Sequence, residues 1–246
     1  MAALGRVGAE IWKQDAVVRT FLESVRGGIP LAAEQIGTML RVVSAACPDV
    51  RRFADLGCGA GALAAAMRSR FPQAAGVLID SSEPMLSAAR QQLTSAGAFE
   101  FVAADLAAPA WAQPYASRPF DAIVSGYAIH HLPDARKQAL YAEIFRLLRP
   151  GGVFVNIEHV ASASAWVEGL SDEEFIDALY AFQHARDGAR TRERVAQEFH
   201  GRPDKAFNIL APVEVQCAWL RACGFADVDC YFKVFELAVF GGRRLQ

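Results

Sequence analysis

The stretch Phe53-Ala-Asp-Leu-Gly-Cys-Gly-Ala-Gly61 decides the fold of this chain. A short apolar strand pattern at 52–56 leads directly into three alternating glycines, and a helical pattern follows at 60–70. Because glycine has no Cβ, the chain can turn tightly here and bring its backbone close to a ligand. A strand, a glycine turn and a helix in this order predict the first unit of a parallel α/β sheet.

Further strands and helices alternate along the chain. Strands are expected at 75–80, 99–104, 120–125 and 152–158, and helices at 83–95 and 134–148. The sequence Arg149-Pro-Gly-Gly152 is a stop signal that ends the second of these helices. A helix at 212–223 precedes two aromatic and β-branched strands, 225–234 and 235–240, with almost no loop between them. They predict an antiparallel hairpin at the edge of the sheet.

Four parts of the chain are distinguished by pattern: an N-terminal helical lid (1–45), a core (46–160), a helical cap (161–208) and a C-terminal helix and hairpin that complete the sheet (209–246). The cap contains apolar residues at helical spacing that we expect to form most of its core: Trp166, Leu170, Phe175, Ile176, Leu179, Tyr180 and Phe182. Its arginines are interleaved with acids, which indicates a solvated face with ion pairs or, alternatively, an anion pocket.

Composition narrows the class of protein. The 246 residues are 53% hydrophobic and 21% charged, which is enough to bury a sizeable core. A net charge of -2 argues against a nucleic-acid partner, and no run of about 18 apolar residues predicts a membrane span. The five cysteines form no paired CxxC unit, so we expect a reduced, cytoplasmic protein with no metal site.

Carboxylates lie near the ends of the first two strands. Asp55 precedes the glycine turn, where it would repel a pyrophosphate and attract the ammonium group of an amino acid. The glycine pattern alone would also fit a purely structural turn or a dinucleotide loop. Asp80 is placed to accept hydrogen bonds from ribose hydroxyls, unless it caps the next helix, a role that Ser81 or Ser82 could take.

The next residues of this edge fit an adenine ring. Met85 falls where a polarizable thioether can lie against the ring, although a core position fits it equally. Asp105, at the end of the third strand, is placed to accept from an exocyclic amine, with the amide of Leu106 as a donor to the ring.

Taken in order, the motifs resemble those of the class I S-adenosylmethionine (SAM)-dependent methyltransferases: 55–61, Asp80 with Met85, Asp105, 120–125 and 147–154. The resemblance implies a Rossmann-like, mostly parallel sheet of seven strands with one antiparallel strand and helices on both faces. Within the family, 26–30 and 220–235 are most similar to the carboxy-SAM synthase and tRNA uridine-5-oxyacetic acid methyltransferase subgroup. The expected cofactor-binding residues are Asp55, Gly57, Cys58, Gly59, Gly61, Asp80, Ser81, Met85, Asp105, Leu106 and Ser125.

Polar residues after the fourth and fifth strands are candidates for contact with a methyl acceptor. The candidate catalytic residues are Tyr127, His130 and His131, any of which could instead pack structurally. The candidate substrate-binding residues are Trp12, Glu158, His159 and Arg202. Arg202 could correspond to the synthase's carboxylate-binding arginine if a gap is allowed.

These expectations favour in-line methyl transfer from SAM to a small-molecule acceptor, with S-adenosylhomocysteine (SAH) as product. The alternatives are a carboxy-SAM synthase-like or tRNA-modifying enzyme, and a SAM-binding protein without catalysis. The sequence leaves open whether the chain forms a homodimer.

Overall fold

The computed structural model of the protein describes Val18 and residues 26–93 and 98–246. Its strands are β1 (Arg52–Leu56), β2 (Ala75–Asp80), β3 (Phe99–Ala103), β4 (Phe120–Gly126), β5 (Leu148–His159), β6 (Ala226–Val234) and β7 (Leu237–Arg243). They form one sheet in the order β3-β2-β1-β4-β5-β7-β6. Only β7 runs against its neighbours β5 and β6, so the predicted mostly parallel sheet with one reversed strand is confirmed.

The α-helices of the described ranges are α1 (Ala32–Ala46), α2 (Ala62–Arg70), α3 (Glu83–Gln92), α4 (Asp134–Leu147), α5 (Ala165–Arg186), α6 (Arg192–His200) and α7 (Val213–Ala222). Short 3-10 turns occur at Arg26–Gly28, Pro109–Tyr115, Ile129–His131 and Pro203–Phe207. Within these ranges, no helix combines the length and apolar character needed to cross a bilayer.

Helices cover both faces of the sheet because successive strand residues point to opposite sides. Phe53 and Leu78 pack on the face covered by α1, α2 and α3. Their neighbours Ala54 and Val77 pack on the other face, against α4 and α7. The sheet is thereby buried between two helical layers, and its strand ends remain available for a site.

Strand β5 begins four residues earlier than expected. The predicted stop signal, 149–152, lies inside it, because pairing across the sheet overrides the local turn preference of Pro and Gly. The amide of Gly151, which has φ +80°, donates to the carbonyl of Arg244 at 2.7 Å, and the guanidinium of Arg149 bonds to the carboxylate of Asp121. The register between β4 and β5 shifts at this point, as in a β-bulge.

The cap has a small core of its own, formed by Ile176, Leu179, Val195 and Phe199. The prediction that Trp166 and Leu170 belong to this core is wrong, because Trp166 is 74% exposed and Leu170 is 37% exposed. The helical period is correct there, but the first turns of α5 extend beyond the body of the protein.

Most cap arginines form the expected solvated ion pairs. Arg190 and Arg194 pair with Glu198, and Arg192 pairs with Glu173 and Asp177. The cap arginine that lines the cavity described below is Arg202.

Candidate functional site

A cavity of about 320 Å³ lies at the carboxyl ends of the parallel strands. Its walls include Asp55 from β1, Asp80 from β2, Gly126 from β4 and His159 from β5, and the cap closes its far end with Phe175. Ligands of open α/β sheets bind at this edge, and the volume is within the range of about 300–1,000 Å³ seen for small-molecule sites.

The glycine turn forms the near wall. Gly57, Gly59 and Gly61 have φ values of +66°, +52° and +83°, which L side chains rarely adopt. A Cβ on Gly57 would lie 2.2 Å from the Cβ of Ala128, so glycine is required by packing. A Cβ on Gly59 would meet only the sulfur of Met85, at 4.0 Å, so glycine here keeps space open beside the cavity. Gly57 and Gly59 line the cavity, whereas Gly61 caps α2.

Asp55 and Asp80 are fixed by backbone amides. Asp55 accepts from the amide of Ala64 in α2 at 3.0 Å. Asp80 accepts from the amides of Gly59 and Ser82, both at 2.8 Å. Burial raises the pKa of Asp80, and these N–H groups offset part of that rise. The two carboxylates are thus held in place before any ligand arrives.

The start of α3 confirms that a serine, not Asp80, supplies the cap. The hydroxyl of Ser82 accepts from the amide of Met85 at 3.3 Å. Ser81, Met85 and Cys58, three of the expected cofactor-binding residues, line the cavity.

Asp105 and Leu106 line the same cavity and are anchored by a clamp that sequence reasoning missed. Arg136 donates from Nε to the carbonyl of Leu106 at 2.7 Å and makes a double hydrogen bond to Glu143 at 2.6 and 2.7 Å. The indole N–H of Trp111 donates to the same carboxylate at 2.7 Å. The i, i+7 spacing of the arginine and glutamate on α4 is the one sequence signal that could have indicated it.

These residues fit SAM. The carboxylates of Asp55, Asp80 and Asp105 belong to one cavity, as the predicted methyl donor requires, and Gly59 leaves room where a side chain would intrude. The buried side chain of Met85 lines the same cavity.

His130 and Glu158 form a buried pair at the cavity. Nδ1 of His130 lies 2.6 Å from Oε1 of Glu158, whose other oxygen accepts from the backbone amide of His130 at 3.1 Å. Burial acts to raise the pKa of Glu158, but His130 and the amide of His159 outweigh it and hold that pKa below its usual value. An ionised Glu158 fixes the tautomer of His130 with the proton on Nδ1 and leaves Nε2 as a proton acceptor.

Glu158 therefore differs from its predicted role in binding the substrate. It is fully buried and lies behind His130 rather than in the cavity wall.

Two more histidines line the cavity, and His131 is expected to be neutral. Burial, followed by the neighbouring His130, lowers the pKa of His131 well below 6.5. Nε2 of His159 lies 2.7 Å from Oε2 of Glu236, which gives the cavity a second histidine–carboxylate pair. The ring centroids of His130 and His159 are 5.8 Å apart.

Tyr127 lines the cavity but is not suited to be a base. Burial raises its pKa well above the usual value, and its hydroxyl donates to Oε1 of Gln35 in α1 at 2.6 Å. Gln35 in turn donates to the carbonyl of Pro30 at 2.8 Å. Tyr127 thus joins the end of β4 to the segment that covers the cofactor end of the cavity.

Two predicted residues remain, Ser125 and Trp12. Ser125 is fully buried within the sheet, outside the cavity wall, and donates to the carbonyl of Leu56 at 2.7 Å. Its small hydroxyl ties β4 to β1, so we remove it from the candidate cofactor set. Trp12 lies outside the described residues.

The cap end contains residues that no motif indicated: Asp172, Phe175, Phe199, Asp204, Lys205, Asn208 and Glu236. They come from α5, α6, the 3-10 turn at Pro203–Phe207 and the turn before β7. Arg202, the predicted substrate-binding arginine, is among them and pairs with Asp204.

Comparison with known proteins relates this chain to methyltransferases and to a SAM-modifying enzyme. Residues 53–152 match a family described as a methyltransferase domain. A carboxy-S-adenosyl-L-methionine synthase of a Nitratiruptor species is 24% identical over 92% of this chain and 90% of its own length. A trans-aconitate 2-methyltransferase of an Azoarcus species is 42% identical over 43% of this chain and 38% of that protein.

Among solved structures, an O-methyltransferase family protein from Burkholderia thailandensis has a TM-score of 0.61 with 18% identity. The match covers 85% of this chain but only 56% of that one, and at this identity it shows the fold alone.

Proposed function

We propose that this chain, whose residues 53–152 match a methyltransferase domain, is a SAM-dependent methyltransferase that methylates a small-molecule acceptor held between the strand ends and the helical cap. SAM supplies a methyl group on a sulfonium, which the acceptor displaces in line to leave SAH. The glycine turn, Asp80 and Asp105 hold the adenosyl part, and Asp55 lies where it attracts the ammonium group.

The buried His130–Glu158 pair carries this proposal. The Nε2 atom of His130 takes the proton that an acceptor hydroxyl or amine loses as it reacts. Glu158 keeps the imidazole in the required tautomer and stabilises its charged form, in the manner of a carboxylate behind a catalytic histidine. A protein that only bound SAM would not need a buried charge at this point, where the desolvation cost is high.

Two contacts help to hold the reacting groups together and to exclude water. The Tyr127–Gln35 hydrogen bond holds α1 beside the turn after β4. On the other side, Phe175 stacks on Phe199 at 5.9 Å between centroids and brings an apolar surface to the cavity. Exclusion of water strengthens the interactions of His130 and Glu158 in the site.

The test combines cofactor binding with methyl transfer. We expect titration calorimetry to show binding of SAM and SAH, and a screen of hydroxyl- and amine-bearing compounds to yield SAH and a methylated product. His130→Gln and Glu158→Gln should bind SAH like the unaltered protein and lose about 10²- to 10⁴-fold in rate. His184→Gln, on the exposed end of α5, is the matched control.

Two outcomes would refute different parts of the proposal. Absence of SAM binding would refute the proposal as a whole. Full activity of His130→Gln would refute only the role of the histidine as a base.

A carboxy-SAM synthase-like activity is the second candidate, supported by the similarity along nearly the whole chain and by the position of Arg202 in the cavity. It ranks lower because the guanidinium of Arg202 is already bonded to Asp204. Mass spectrometry after incubation with SAM and prephenate would reveal a carboxylated cofactor, and incubation with bulk tRNA would reveal methylated RNA.

We also propose that the protein works in the cytoplasm. The five cysteines all lie within the described residues and form no disulfide there, which is typical of a reducing compartment.

A further inference from the structure

The described wall of the cavity contains more carboxylates than cationic side chains. Arg202 and Lys205 are the two cations of its described wall. Six carboxylates line the same wall: Asp55, Asp80, Asp105, Asp172, Asp204 and Glu236. The first three face the cofactor end, and the last three lie at the cap end, where the acceptor is proposed to bind.

Arg202 has its hydrogen-bonding fork occupied by a neighbour in the same wall. Nε of Arg202 lies 3.1 Å from Oδ1 of Asp204, and Nη2 bonds to Oδ2. Both side chains are largely buried. Because this bidentate pair occupies the Nε/Nη2 edge of the guanidinium, that edge is not available to an acceptor carboxylate, and the charge of Asp204 offsets that of Arg202.

Lys205 is engaged in a similar way. Its ammonium lies 3.3 Å from Oδ1 of Asp172 and 4.0 Å from the centroid of the Phe199 ring. The carboxylate satisfies its charge, and the aromatic face attracts it further.

The third acid at this end is also ionised. Burial acts to raise the pKa of Glu236, but hydrogen bonds from His159 and Ser162 outweigh it and hold that pKa below its usual value. An acceptor carboxylate entering this end would meet Asp172, Asp204 and Glu236 with no uncommitted cation in the described wall to offset their repulsion.

We propose that Asp172 and Asp204 determine acceptor specificity: by pairing with Lys205 and Arg202, they exclude carboxylate-bearing acceptors and admit uncharged or cationic ones with a hydroxyl or amine group. This inference rests on the proposed methyl transfer and names the chemical class of its acceptor. Asp172 and Asp204 act through the two cations and take no part in the reaction itself.

The test measures binding of trans-aconitate, a tricarboxylate, to the SAH complex by titration calorimetry. The unaltered protein should show no saturable binding up to about 10 mM, whereas Asp172→Asn/Asp204→Asn should gain at least about tenfold in affinity because two cations are released. Asp204→Glu keeps the charge and should behave like the unaltered protein. Asp187→Asn, at an exposed acid after α5, is compared with Asp172→Asn alone and controls for the loss of one negative charge.

Three results would overturn the proposal: saturable binding of trans-aconitate by the unaltered protein below about 10 mM, no gain in the double variant, or a gain in Asp187→Asn equal to that in Asp172→Asn. The affinity for SAH verifies that each variant is folded. If Asp204→Asn disrupts folding, Asp172→Asn alone provides the comparison. None of these results depends on methyl transfer, so failure here is distinguishable from failure of the proposed function.

Discussion

Gly59→Ala should separate cofactor binding from folding. The residue has φ +52°, and an added Cβ would meet only the sulfur of Met85, at 4.0 Å. The fold therefore has space for the methyl group, which comes to lie beside the cavity that SAH is expected to fill. Gly57→Ala is a contrasting change, because its Cβ would lie 2.2 Å from that of Ala128.

The magnitudes follow from strain and crowding. A left-handed conformation costs an alanine about 1–2 kcal/mol, so Gly59→Ala should lower the free energy of unfolding by that amount. One methyl group too many in a filled site costs about 1–3 kcal/mol, so its affinity for SAH should fall about 5- to 150-fold. Gly57→Ala carries the same strain plus a collision with the Cβ of Ala128 and should lose about 2–5 kcal/mol of stability.

Urea denaturation and titration with SAH measure the two effects independently. Gly169→Ala is the control: it lies in α5 with nothing within 4 Å of the new Cβ, and it should gain about 0.5–1 kcal/mol with unchanged affinity. A folded Gly59→Ala that binds SAH as tightly as the unaltered protein would refute the assignment of this wall to the cofactor.

Two further predictions concern the Arg136–Glu143 clamp and His131. Arg136→Met leaves Glu143 buried without its cationic partner, so it should lower the free energy of unfolding by about 3–5 kcal/mol in urea denaturation and weaken SAH binding through Leu106. Recovery of stability is expected in Arg136→Met/Glu143→Leu, and unchanged SAH affinity in Arg136→Met would contradict the positioning role. The pKa of His131 is lower in the native state than its unfolded value of about 6.5. Below that pH, the unfolded state therefore binds a proton that the native state does not. This group should lower the free energy of unfolding by up to about 1.4 kcal/mol for each pH unit of acidification. His131→Phe should flatten the dependence of unfolding free energy on pH between about 7 and 5, and an unchanged slope would contradict a buried neutral histidine.

Strands β1 and β2 could be predicted to the residue because their signals are local. Strands β1 and β2 have the expected bounds, since each is an apolar run limited by polar residues or glycine. The start of β5 could not be predicted in this way: Pro150 and Gly151 favour a turn, and they belong to a strand only because the flanking Leu148 and Val153 pair with β4 and Gly151 bonds to Arg244 just after β7.

The cofactor end of the site was more predictable than the acceptor end for a related reason. Asp55, Asp80 and Asp105 each follow from a position at a strand end, so the order of strands brings them together. The cap end depends on pairs such as Lys205 with Asp172, 33 residues apart, and His159 with Glu236, 77 residues apart. No spacing in the sequence marks such pairs, because they arise only when α5, α6 and β7 close around the cavity.

The two ends of the cavity should also respond differently to amino-acid substitution. At the cofactor end, Asp80 is held by backbone amides, and a substitution there disturbs the turn between β1 and α2 as well. At the cap end, Asp204 and Asp172 are held by side chains of Arg202 and Lys205, outside the sheet. Exchanging those acids alters the charge that an acceptor meets while the hydrogen bonds of the glycine turn stay intact. Acceptor specificity can therefore change through the cap without loss of SAM binding.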